Sequence, residues 1–108
     1  MEQDDREGLV TRYLDILLPE TWDSMDVYAR REYISDPDGP MQPKGSVRRE
    51  SVSNIEIWCE CLGKAKEDIK PADSYSISAI MARIRGWEKS DKLERQPIYG
   101  KQRVYIRK

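Results

Sequence analysis

The stretch that most constrains the fold of this chain is Asp73–Trp87, DSYSISAIMARIRGW. Ile77, Ile80, Met81, Ile84 and Trp87 fall at i, i+3, i+4, i+7 and i+10, which is one face of an α-helix and must be buried against other elements. Asp73 reads as the capping residue and Gly86 as the stop. At about 100° per residue, the opposite face carries Tyr75, Ser78, Ala79 and Ala82, with Arg83 and Arg85 on its flanks. That face holds hydroxyls, small residues and arginines but no acid, so it can lie close to a polyanion. The helix is expected to be the second of a helix-turn-helix.

The 108 residues make one domain, 36% charged and 38% hydrophobic, within the range of globular chains. No apolar run approaches the ~18 residues of a membrane span. The N-terminus is acidic and not basic-then-apolar, so it does not read as a signal peptide. These features predict a cytoplasmic protein with no membrane partner. Cys59 and Cys61 are two apart on an expected helix and point away from each other, which argues against a bridge and fits a reducing compartment. The net charge of −1 hides a split. Residues 1–39 contain four basic and eleven acidic side chains, residues 40–108 fifteen and nine, and residues 83–108 alone nine and three. The basic C-terminal end predicts a local polyanion contact, not a sequence-wide one.

In chain order, residues 1–20 are expected to be an acidic tail, reading as internal to a longer protein, and an apolar helix of Leu9, Val10, Tyr13, Leu14, Ile16, Leu17 and Leu18 ended by Pro19. Residues 21–34 are a second helix with Trp22, Met25, Tyr28, Ala29 and Tyr33 on its core side and Arg30 and Arg31 near its C-terminal end. Residues 35–46, with three prolines and two glycines, are a loop lacking the order of a phosphate-binding loop. Residues 47–108 supply a strand at 47–52, two helices and a wing. Ser53 and Glu56 form a capping box, Val52 and Ile57 a hydrophobic staple, and Gly63 the stop of the first of those helices. The connector 64–72 is longer than a tight helix-turn-helix allows. After Trp87 the pattern is strand-like, with a two-residue turn expected at Gly100–Lys101 and with Val104 and Ile106 expected inward. The fold class is therefore α+β: a winged-helix-like domain, helix-turn-helix plus an antiparallel hairpin wing, with an extra N-terminal helix.

Histidine is absent, which removes Ser-His and Cys-His pairs, His-based zinc sites and the commonest general base. Glu56 and Glu60 share a face at i, i+4 and read as a solvated surface with a capping glutamate. No catalytic residue, metal or cofactor is expected. The binding constellation is Tyr75, Ser76, Ser78, Arg83 and Arg85 on the helix, with Lys101, Arg103, Tyr105, Arg107 and Lys108 on the hairpin. Hydroxyls and arginines on an exposed helix can contact phosphates, and a basic wing can follow the adjacent backbone. The expected partner is DNA, contacted mainly through backbone phosphates, with single and double strands both open.

The segments LLPETWDSMDVYARREYI, SVSNIEIWCECLGK, DSYSISAIMARIRGW and YGKQRVYIRK, in this order, resemble the C-terminal region of the virulence-associated protein E family. These are phage and prophage proteins whose upstream part is similar to a P-loop replicative helicase, sometimes with a primase. The resemblance covers most of residues 9–108 and includes none of the family's ATPase residues. It implies an accessory, non-catalytic domain of a replicative primase–helicase, with that upstream domain as a partner. The alternative is a docking or oligomerisation module of the same helicase, using the apolar first helix and the acidic N-terminal segment.

Overall fold

The computed structural model describes residues 5–108. The first four residues of the expected acidic tail lie outside the described residues. Helix α1 (Asp5–Asp15) buries Val10, Tyr13 and Leu14, spaced i, i+3 and i+4. It stops at Asp15, short of the expected end, and Leu18, the residue before Pro19, lies outside the helix as a residue before proline is biased to do. Leu18 instead pairs with Val47, its N–H donating to the Val47 carbonyl at 2.7 Å. The second helix also starts later than expected. A single 3₁₀ turn, Trp22–Ser24, precedes α2 (Val27–Ser35), whose N-cap Asp26 accepts the Ala29 N–H at 2.8 Å. Tyr28, expected in the core, is 73% exposed, and Arg30, expected near the C-terminal end of the helix, is 2% exposed.

Strand β1 is only Ser51–Ser53. The capping box forms as expected: Ser53 Oγ accepts the Glu56 N–H at 3.2 Å, and Glu56 Oε1 accepts the Ser53 N–H at 3.0 Å. Val52 and Ile57 are both fully buried. Helix α3 (Asn54–Glu56) widens without a break into a π turn, Ile57–Cys61, and Gly63 follows at φ 68°, the left-handed position a helix stop needs. A 3₁₀ turn (Lys66–Asp68) leads into α4 (Pro71–Arg83). This helix starts two residues before Asp73, because a proline at the first helical position lacks only an N–H that would be unpaired anyway. Asp73 sits one turn in, accepting the Lys70 N–H at 3.0 Å. The helix ends before Ile84, and Trp87 belongs to the next strand.

Strands β2 (Trp87–Gln96) and β3 (Gly100–Arg107) form the wing, and β1 adds to the other edge of β3, giving the antiparallel order β1-β3-β2. The hairpin turns at residues 97–99, not at Gly100–Lys101. Gly100, at φ 75°, pairs with Gln96, the arrangement of a three-residue loop closed by a left-handed glycine. In β3 the expected burial of Val104 holds, that of Ile106 does not, and Tyr105, expected outward, is buried as well. Tyr105 pairs with Val52 and belongs with it to the core, Val104 pairs with Ser53 and is also buried, and Ile106 is exposed. The order helix, helix, strand, helix, helix, strand, strand is that of a winged-helix-like α+β domain with one extra N-terminal helix.

The core contains charge. Glu56 and Glu60, expected on a solvated face, are both buried. The Glu60 carboxylate accepts Tyr13 Oη at 2.7 Å on one oxygen, and Tyr99 Oη at 2.6 Å and Arg30 Nη1 at 2.9 Å on the other. Arg30 also donates twice to the Trp22 carbonyl, at 2.8 and 3.2 Å, and stacks on the Trp22 ring. Arg49 lies 4.3 Å over the Tyr13 ring, donates to Glu56 at 3.3 Å and stands 4.0 Å from Glu60. Burial pushes the Glu56 carboxyl up, and the Arg49 charge opposes it. Burial also raises the Tyr13 and Tyr99 phenols, so both stay protonated donors. Two arginines thus neutralise two glutamates where neither sign would be tolerated alone. Arg30→Met should therefore destabilise the domain by about 3–5 kcal/mol, read as a lower urea midpoint. Arg30→Met with Glu60→Leu should recover part of that loss.

Candidate nucleic-acid interface

The buried side of α4 is Ile77, Ile80 and Met81, as its periodicity requires. Of the residues expected on its free side, Tyr75 is 77% exposed, and Ala79 and Ala82 are exposed with it. Ser76 is half-buried. Ser78 is not on the free side. Its Oγ accepts Asn54 Nδ2 and Tyr105 Oη, each at 3.0 Å, and so ties α4 to α3 and to β3. A helix packed at once on a helix and a sheet buries a wider arc than its apolar stripe alone indicates.

The predicted cations divide into two groups. Arg83 Nε lies 3.3 Å from a Glu7 carboxylate oxygen, so part of its charge is met by α1. Arg107 belongs to the fold: it donates to the carbonyls of Arg49 at 2.8 Å and Leu14 at 3.0 Å and lies 4.6 Å over the Trp87 ring. Burial, with the charge of Arg48, lowers its pKa. The local pattern points Arg107 outward because its partners, the Leu14 and Arg49 carbonyls and the Trp87 ring, are distant in sequence. Arg85, Lys101, Arg103 and Lys108 are exposed and have no ion-pair partner among the described residues.

Strand register sorts the charges of the wing. Lys101, Arg103 and Tyr105 alternate onto one face of β3, and their partners across β2 are Arg95, Leu93 and Lys89. The acids Glu88 and Glu94 pair with Ile106 and Gln102, on the other face. The cationic face is the one whose Tyr105 reaches α4. Between them lies a cleft of about 320 Å³ lined by Asn54, Ser74, Ser78, Lys89, Gln102, Arg103 and Tyr105. Its lining contains two cations, hydroxyls and amides, and no carboxylate. Asn54 spans its floor, donating to Ser74 Oγ at 3.1 Å. Lys89, Arg95, Asn54 and Ser74 were missed from the sequence. Only the register and the bulge between Lys89 and Leu93 put the lysine opposite Tyr105.

No family model matches this chain, and no curated protein matches it. Among the described residues, no group of three or more His, Cys, Asp or Glu is placed to hold a metal ion, and no helix is long and apolar enough to cross a membrane.

Because Arg107 is fixed by two carbonyls and a ring, lysine cannot reproduce its fork. Arg107→Lys should cost about 1–2 kcal/mol of stability, seen as a lower thermal midpoint, whereas Arg103→Lys should leave the midpoint unchanged.

Proposed function

We propose that this chain is a non-catalytic nucleic-acid-binding domain that grips DNA through backbone phosphates laid in the cleft between α4 and the wing. One observation carries the reading: Lys89, Arg95, Lys101 and Arg103 share one face of the hairpin by register, with Glu88 and Glu94 on the other. Arg95 and Lys101 stand directly opposite each other, a like-charge pairing that a bound phosphate would relieve. Ser74 and Asn54 offer neutral polar groups in the cleft beside Lys89 and Arg103, and the exposed Tyr75 ring offers a stacking surface for an unpaired base. Phosphate contact without base reading suits the long connector before α4, which leaves this helix a positioning role. The resemblance to the virulence-associated protein E family supports placing such a domain in a phage-type replicative primase–helicase, in the cytoplasm, beside an upstream ATPase domain.

A second reading, docking onto that upstream domain, is favoured by two observations. Arg83 is paired with Glu7 and Arg107 is absorbed by the fold, so two of the arginines expected at DNA are engaged within the chain. Its own measurement is association of this domain with the separate upstream part, by sedimentation.

For DNA binding, fluorescence anisotropy with single- and double-stranded oligonucleotides across a salt series is decisive. Affinity should fall linearly with log salt. Lys89→Ala with Arg103→Ala should flatten the slope by about one unit per lost contact, and Arg83→Ala should change it less than Arg103→Ala does. Salt-independent or absent binding to both forms at low salt would overturn the proposal.

A further inference from the structure

Helices α1 and α2 and the π turn leave a second depression, of about 270 Å³, sharing no lining residue with the α4–wing cleft. Its apolar wall includes Leu9, which is 50% exposed, Ile16, Ile34 and Leu62. Two arginines, Arg12 and Arg31, complete it. Arg31 is held in place, donating to the carbonyls of Cys59 at 2.7 Å and Lys64 at 2.6 Å, yet neither arginine has a carboxylate partner among the described residues. The one acid in the lining, Glu60, has a fully buried side chain and is taken by Arg30. The surface is therefore an apolar groove with uncompensated positive charge, the complement of a helix carrying an apolar stripe flanked by acids.

We infer that this groove docks an acidic amphipathic helix of a partner protein, its aliphatic side chains against Leu9, Ile16, Ile34 and Leu62 and its carboxylates on Arg12 and Arg31. A second copy of the chain offers no such helix among the described residues: α1, its acidic helix, already turns Val10, Tyr13 and Leu14 into its own core. The inference deepens the docking reading and is independent of DNA binding.

The probe is a synthetic helical peptide with leucines at i, i+4 and i+7 and glutamates beside them, compared with its lysine-for-glutamate counterpart in an amide NMR titration of the chain. The acidic peptide should shift Leu9, Arg12, Arg31, Ile34 and Leu62 and bind about tenfold more tightly than the basic one, a difference of about 1.4 kcal/mol. Arg12→Glu, at an exposed position, should reverse that preference while leaving the DNA titration unchanged. Equal binding of the two peptides, shifts confined to other surfaces, or self-association through the same amides would overturn the inference. If Arg12→Glu abolishes peptide preference but the domain still joins the upstream part of the polypeptide, the docking reading stands with a different partner for the groove. If the acidic peptide fails while that association persists, the groove assignment alone falls.

Discussion

The Glu60 carboxylate is the constraint on which the rest of this structure depends. It sits in the core with three direct donors, one from α1 (Tyr13), one from α2 (Arg30) and one from the turn of the wing (Tyr99). A buried carboxylate is tolerable only when a cation and hydrogen bonds replace the water it has lost. Each element that donates to it is thereby held to one position. Apolar burial is non-directional, whereas the hydrogen bonds of a buried carboxylate hold only within a narrow range of distance and angle. The neighbouring pair of Arg49 and Glu56 extends the network to β1 and, through the Glu56–Gln96 hydrogen bond, to the base of the hairpin.

The wing inherits its placement from that network. Ser53 Oγ donates to Gln96 Oε1 at 2.8 Å, Tyr99 reaches Glu60, and Gly100 turns the chain back beside Gln96. With the turn pinned at 97–99, the alternation of β3 is determined, and with it the segregation of lysine and arginine from glutamate across the hairpin. A shift of one residue in β3 would have turned Arg103 away from α4, onto the face of the β2 acids Glu88 and Glu94. The charge pattern of the surface therefore rests on interior chemistry.

Much of the fold was legible in local pattern. Ile77, Ile80 and Met81 are buried as their spacing requires, Val52 and Ile57 are both buried, and the Ser53–Glu56 box and the Gly63 stop stand as read. Such features depend on residues within a turn or two of one another, where backbone geometry alone decides which side chains meet. The misreadings involve distant partners. Arg30 and Glu60 look like surface residues until 30 positions of chain bring them together, and a glutamate pair at i, i+4 is indistinguishable on a helical wheel from a solvated one. Ser78 and Arg107 look outward in the local pattern because the groups that meet them are distant in sequence.

The candidate site divides in the same way. Its composition belongs to the sequence: an acid-free helix face, a tyrosine at 75, and an excess of basic residues after Arg83. Which of those cations remain available was decided by the tertiary structure. Arg83 meets Glu7 and Arg107 meets two carbonyls, while Lys89 and Arg95 enter through strand register. The physical reason is range. Helical periodicity, caps and turns act over a few residues and are written in local sequence, whereas ion pairs, burial of charge and strand register depend on groups that only folding brings within a few ångströms.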